Sequence, residues 1–138
     1  MQRIRRYADY DNQARAVLVH AAAAAERDGR RHLDTLEVAL ALASVPWAGA
    51  EALESHGVDR HALERLRGSG KPITSREPGL TADARSMLER AETAVERDGR
   101  AAVTRTDLLV AIANGHSAVA RLMAAKGMSA SDLRRDLG

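Results

Sequence analysis

Cysteine is absent from this 138-residue sequence, as is phenylalanine, and there are only two tyrosines, one tryptophan and three prolines. The lack of cysteine excludes disulfides, thiolate metal sites and a cysteine nucleophile, and suits a reducing compartment, so the cytoplasm is the expected location. With so few aromatics, the core must be built from Ala, Leu, Val, Ile and Met, all at home in helices. Lysine is nearly missing too, present only as Lys71 and Lys126, and the many arginines are offset by acids to a net charge of +2. Such a balance gives little support for nucleic-acid binding. No apolar run approaches the ~20 residues that cross a bilayer, and the basic start MQRIRRYADYDNQ is not followed by an apolar stretch. A soluble chain without a signal peptide or membrane contact is expected.

Recognisable catalytic patterns are lacking as well. GSGK at 68–71 has Arg65 where a phosphate-binding loop needs glycine and Pro72 where it needs Ser or Thr. The histidines, at 20, 32, 56, 61 and 116, form no metal-binding spacing. His32, Asp34 and Glu37 cluster near a helix start and read as a polar loop and cap. No Gly-x-Ser-x-Gly elbow occurs. No enzyme, cofactor or metal is expected.

What the sequence does contain is a repeat. ERDGR occurs at 26–30 and again at 96–100, and a shift of 70 residues aligns QARAVLVHAAAAAERDGR with DARSMLERAETAVERDGR and LEVALALAS with TDLLVAIAN without a gap. Ungapped self-similarity of this kind marks two copies of one supersecondary unit. In each copy apolar residues recur at helical spacing, Ala14, Val17, Leu18, Ala21 and Ala25 in the first and Ala84, Met87, Leu88, Ala91 and Val95 in the second. Gly29 and Gly99 fit the left-handed residue that ends such a helix. Short apolar helices are predicted at about Thr35–Ser44 and Thr104–Ala113, each opened by a capping Thr. Third helices follow near 48–55 and 117–125, and fourth ones after Asp59 and Ser129. The expected fold is all-α: one eight-helix domain made of two pseudo-symmetric four-helix repeats. Its parts are a basic N-terminal arm at 1–9, repeat 1 at 10–67, a Gly- and Pro-containing linker at 68–79 and repeat 2 at 80–138.

Repeats that begin YDNQARAVL or LTADARSML and finish LESHGVDRHALERL or MAAKGMSASDLRRDL resemble the Clp N-terminal domain, with the HGVD turn part of the likeness. That family supplies the all-helical substrate- and adaptor-binding domain in front of the ATPase modules of ClpA- and ClpC-type AAA+ unfoldases. The resemblance implies a non-catalytic module binding proteins, adaptors or peptides. Because the last repeat helix runs to Gly138, a stand-alone, diverged and monomeric form is expected, acting as a regulator of or decoy for a Clp unfoldase-protease.

The departures from the family also carry information. In ClpC-type domains a Glu in each repeat helps bind phosphoarginine; those positions here are Leu36 and Thr106. Glu37 and Asp107 stand one residue later, a helical rotation of about 100°. Phosphoarginine binding is therefore expected to be weak or absent. The aromatic that opens each repeat, on the surface that receives cyclic peptide antibiotics, is Tyr10 in one copy and Leu80 in the other. The resemblance places ligands on an inter-repeat surface formed by Tyr10, Asp11, Leu80 and Thr81, with Glu37 and Asp107 as displaced acids. Trp47, in the loop SVPWAGAEAL, reads either as a packing group or as an interface anchor. The alternative function is nucleic-acid binding through Arg3, Arg5, Arg6, Arg134 and Arg135, with Tyr7 and Tyr10 beside the first three.

Overall fold

The computed structural model describes residues 9–29, 32–67 and 79–137. The N-terminal arm up to residue 8 and nearly all of the linker, including GSGK, lie outside the described residues.

Among those residues the chain forms eight helices in two matching sets of four. The first set is α1 (Asn12–Arg27), α2 (Thr35–Ser44), α3 (Ala48–Ser55) and α4 (Arg60–Glu64); the second is α5 (Ala82–Arg97), α6 (Arg105–Ala113), α7 (Ala118–Ala125) and α8 (Ala130–Leu137). The all-α expectation holds. Four two-residue strands are also present: β1 (Asp9–Tyr10), β2 (His32–Leu33), β3 (Gly79–Leu80) and β4 (Ala102–Val103).

The long helices follow from their spacing. Ala14, Val17, Ala21 and Ala25 on α1, and Ala84, Met87, Ala91 and Val95 on α5, form buried stripes, and the small alanines let the helix axes come close. Both helices stop at glycines with φ of 76° (Gly29) and 70° (Gly99), a conformation that a Cβ would penalise. The ERDGR repeat is therefore the sequence of a helix end written twice.

At the centre lie α2 and α6, which pack on one another and are covered by α1 and α5. Every residue of α2 from Thr35 to Leu42 is buried, as is every residue of α6 from Asp107 to Ile112. A helix that is apolar nearly all round belongs inside. Fully burying a side chain such as Leu42, Leu53, Leu108 or Ile112 contributes about 1.5–3 kcal/mol. The cap of α2 is Asp34, one residue before the Thr35 that the sequence suggested; Thr104 caps α6 as expected, accepting from the Asp107 amide at 3.2 Å.

The strands carry information that helical periodicity could not. β1 pairs in parallel with β4, Asp9 opposite Ala102 and Tyr10 opposite Val103, while β2 pairs with β3, His32 opposite Gly79 and Leu33 opposite Leu80. Each repeat therefore completes its small ladder with a strand from the other. The Asp11 amide donates to the Val103 carbonyl and the Thr81 amide to the Leu33 carbonyl, both at 3.0 Å. The two repeats are interlocked at both ends of this exchange.

Candidate functional site

The residues that open the first helix of each repeat fall at the two ladders. Asp11 caps α1, its carboxylate accepting from the Ala14 amide at 2.8 Å. Thr81 caps α5, accepting from the Ala84 amide at 3.1 Å, and donates its hydroxyl to Asp34 across the repeats at 2.6 Å. Tyr10 lies half-buried on β1 and donates its phenol to Glu92 of α5. Burial, then the hydrogen bond and charge of Glu92, push that phenol well above its usual range. Leu80 belongs to the opposite ladder. Tyr10 and Asp11 thus sit at one ladder and Leu80 and Thr81 at the other, each pair fastening one repeat to its neighbour.

Glu37 and Asp107 are each 1% exposed, although the resemblance placed them on the ligand surface. The reason is local. Both occupy the third position of their helix, from which a short acid reaches back to the capping residue. Glu37 accepts the Asp34 amide at 2.9 Å and Asp107 the Thr104 amide at 2.8 Å. Asp107 also receives two hydrogen bonds from Arg100, at 2.7 and 2.9 Å, and one from Arg134 of α8 at 2.8 Å. Burial by itself would raise the Asp107 carboxyl, but these donors outweigh it and hold it down at about 2. The acid ties α8 to α6 rather than facing outward. Leu36 is buried and Thr106 half-buried, so neither phosphoarginine position carries an acid.

Trp47 is half-buried at the start of α3, its indole N–H donating to the Leu42 carbonyl at 2.8 Å. The Arg105 guanidinium lies over the ring, 4.5 Å from its centroid, a cation–π contact between the repeats. A Cβ on the buried Gly49 would collide with the ring. The indole is a packing group at the α2–α3 turn, with one face shared with the second repeat. Its equivalent 70 residues on is Ser117, which caps α7 by accepting from the Ala120 amide at 3.2 Å.

Among the described residues no group of His, Asp and Glu is arranged to hold a metal ion, and no single helix is long and apolar enough to cross a membrane. Of the arginines suggested for nucleic acid, Arg134 is engaged by Asp107 and Arg135 by Asp132 and Asp136. Arg3, Arg5, Arg6 and Tyr7 lie outside the described residues.

The Clp repeat N-terminal domain model matches residues 9–126, from the first ladder to the residue that closes α7, and so takes in the first repeat and the second as far as α7. The chain belongs to that family. Its structure resembles a protein studied in preliminary structural investigations of a malarial protein secretion system (TM-score 0.70, 20% identity, 94% of this chain and 92% of that one). It also resembles the Hsp104 N-terminal domain from Candida albicans (TM-score 0.69, 13% identity, 94% and 89%). A third likeness is to the N-terminal domain of the chaperone ClpD from Arabidopsis thaliana (TM-score 0.66, 12% identity, 91% and 90%). At these identities the likeness is one of fold. No curated protein matches the chain. The Clp N-domain family is one of non-catalytic binding domains attached to unfoldases, which fits a role in recognising substrates or adaptors.

The family resemblance pointed to neither Glu92 nor Ser117, and the spacing offered Asp34 and Thr35 only as a polar loop and a helix cap. The signal was available: setting the two copies side by side puts Trp47 against Ser117 and Gly49 against Val119, an exchange of large and small residues at one turn.

Proposed function

We propose that this chain is a non-catalytic, monomeric recognition module that binds protein substrates, adaptors or peptides of a Clp-type unfoldase in the cytoplasm, and that it regulates such a machine or competes with it for ligands. The observation that carries this reading is the family match over residues 9–126. It is supported by an interlocked core in which Asp107 fastens α6 to Arg100 and to Arg134 of α8. The partner surface lies between the repeats, at the two ladders bearing Tyr10, Asp11, Leu80 and Thr81, with the turn of Trp47 beside α6.

Phosphoarginine is not the mark recognised. Leu36 and Thr106 supply no carboxylate for its guanidinium, and Glu37 and Asp107 are enclosed. A cyclic peptide that requires a pair of aromatic rings loses one of them at Leu80.

The test is a calorimetric titration of the full chain with purified Clp adaptors and with a chemically unfolded protein, followed in parallel by the emission of Trp47, the only tryptophan. Saturable binding to an adaptor or to the unfolded protein, without heat from phosphoarginine, is expected. Silence toward all the proteins would overturn the reading, and tight binding of phosphoarginine would overturn the account of its ligand.

A further inference from the structure

The exchange of large and small residues at the helix turns leaves a cleft on one side of the molecule. In the first repeat the Trp47 ring fills the α2–α3 turn and Arg105 covers it. At the equivalent place in the second repeat stand Ser117 for Trp47, Thr35 for Arg105 and Arg90 for His20. A cleft of about 70 Å³ opens there, lined by Thr35, Asp83, Ser86, Arg90, His116 and Ser117. That volume is several times the ~10–15 Å³ one water needs.

The lining is rich in donors. The Thr35 hydroxyl, in a residue 2% exposed, has no hydrogen-bond partner. A buried hydroxyl left unpaired is costly, and this one belongs to a residue that lines the cleft. Arg90 is pinned through Nε and Nη2 to the Ala111 carbonyl at 3.1 and 2.9 Å, which leaves the rest of its five N–H groups free to donate. Gly115 makes room for that guanidinium, since a Cβ there would meet Nη2. Ser117 uses its oxygen as acceptor for Ala120 and keeps its proton to give. The cleft also faces the start of α7 just after Ser117, whose amide end favours negative charge, and the start of α2 at Thr35, where Asp34 and Glu37 already form a capping box.

An acceptor-only group suits this set. Asp83 also lines the cleft and opposes a multiply charged anion, while it stands seven residues before Arg90 on α5, about 10 Å along the axis. We propose that the cleft is a carboxylate-binding subsite, in which Arg90, Thr35 and Ser117 hold the carboxylate of an acidic side chain or of a peptide C-terminus. This deepens the reading of the chain as a peptide-recognition module, yet can be tested without any protein partner.

The experiment is a backbone-amide NMR titration of the full chain with sodium acetate, with acetamide and with sodium chloride at equal ionic strength. Two short peptides follow, one with a free C-terminus and no acidic side chain, the other amidated and carrying a single Glu. Acetate is expected to shift the amides of 35, 90 and 116–118 saturably in the millimolar range, with acetamide and chloride silent. Whichever peptide reproduces the shifts identifies the source of the carboxylate. Thr35→Val removes the hydroxyl while keeping the shape, and should weaken acetate about tenfold with the fold intact. Ser117→Trp, imitating the first repeat, should abolish binding; if it does not fold, Thr35→Val decides. No saturable shift with acetate, equal shifts with acetamide, or unchanged affinity in Thr35→Val would overturn the proposal. Acetate binding without any affinity for unfolded proteins or adaptors would leave this subsite standing and defeat the function proposed above.

Discussion

Residues 44–49 and 114–119 join equivalent helices on equivalent backbones, yet the two turns are closed by different means. In the first, an indole donates to the end of α2, rests on Gly49 and carries Arg105 on its face. In the second, a serine caps α7, Val119 fills the place of Gly49, and Arg90 reaches over from α5 to the Ala111 carbonyl. Both solutions give a donor to the last carbonyls of a buried helix, which would otherwise be unsatisfied. The comparison teaches that the repeat specifies helix ends and packing stripes, while the turns facing the neighbouring repeat are free to diverge. A recognition surface can differ between the two halves at little cost to the fold.

Asp107 offers the largest way to break the comparison. Asp107→Asn removes the acceptor that joins Arg100 and Arg134 and should cost about 3 kcal/mol in chemical denaturation. The same network can be titrated. Its carboxyl is held at about 2 in the fold against about 3.9 in an unfolded chain, so its stabilisation is complete above the higher value and fades as pH falls toward the lower. About 2 kcal/mol should be lost between roughly pH 4 and pH 2, and Asp107→Asn should lack that component of acid unfolding.

Trp47→Ala should cost about 2 kcal/mol through lost packing, the bond to Leu42 and the Arg105 contact. Gly49→Val alone should cost a similar amount, because the new side chain collides with the ring. Combining it with Trp47→Ser, so that the first turn copies the second, should recover about 1 kcal/mol relative to the sum of the single changes. Additivity within error would show that the two turns are not alternative packings. The smallest effect is that of Ser117→Ala, about 1 kcal/mol for a lost cap, measured by the same denaturation.

The helical frame was legible from sequence because its signals are local. Stripes at 14, 17, 21 and 25 and at 84, 87, 91 and 95, positive-φ glycines and the caps Asp59 and Ser129 each need only a few neighbouring residues. Asp59 accepts from the Ala62 amide and Ser129 from the Asp132 amide, as their positions imply. The strand exchange was not legible, since a two-residue strand has no period to detect and its partner lies far along the chain. The inward turn of Glu37 and Asp107 was partly legible: D-x-x-E at 34–37 and T-x-x-D at 104–107 have capping-box spacing, a local rule that outweighs the rotation argued from the family pattern. The cleft at Ser117 depends on which side chains meet across repeats, and only the side-by-side reading of the copies hints at it.

The most direct test of the inter-repeat surface as the recognition surface is amide hydrogen exchange of the full chain, alone and saturated with an unfolded polypeptide. The account predicts protection gathered at the two ladders, 9–12 and 79–90, and at the turns 45–49 and 114–118, with the C-terminal ends of α3 and α4 unchanged. Saturable binding that protects those outer ends instead, or no binding at all, would contradict it.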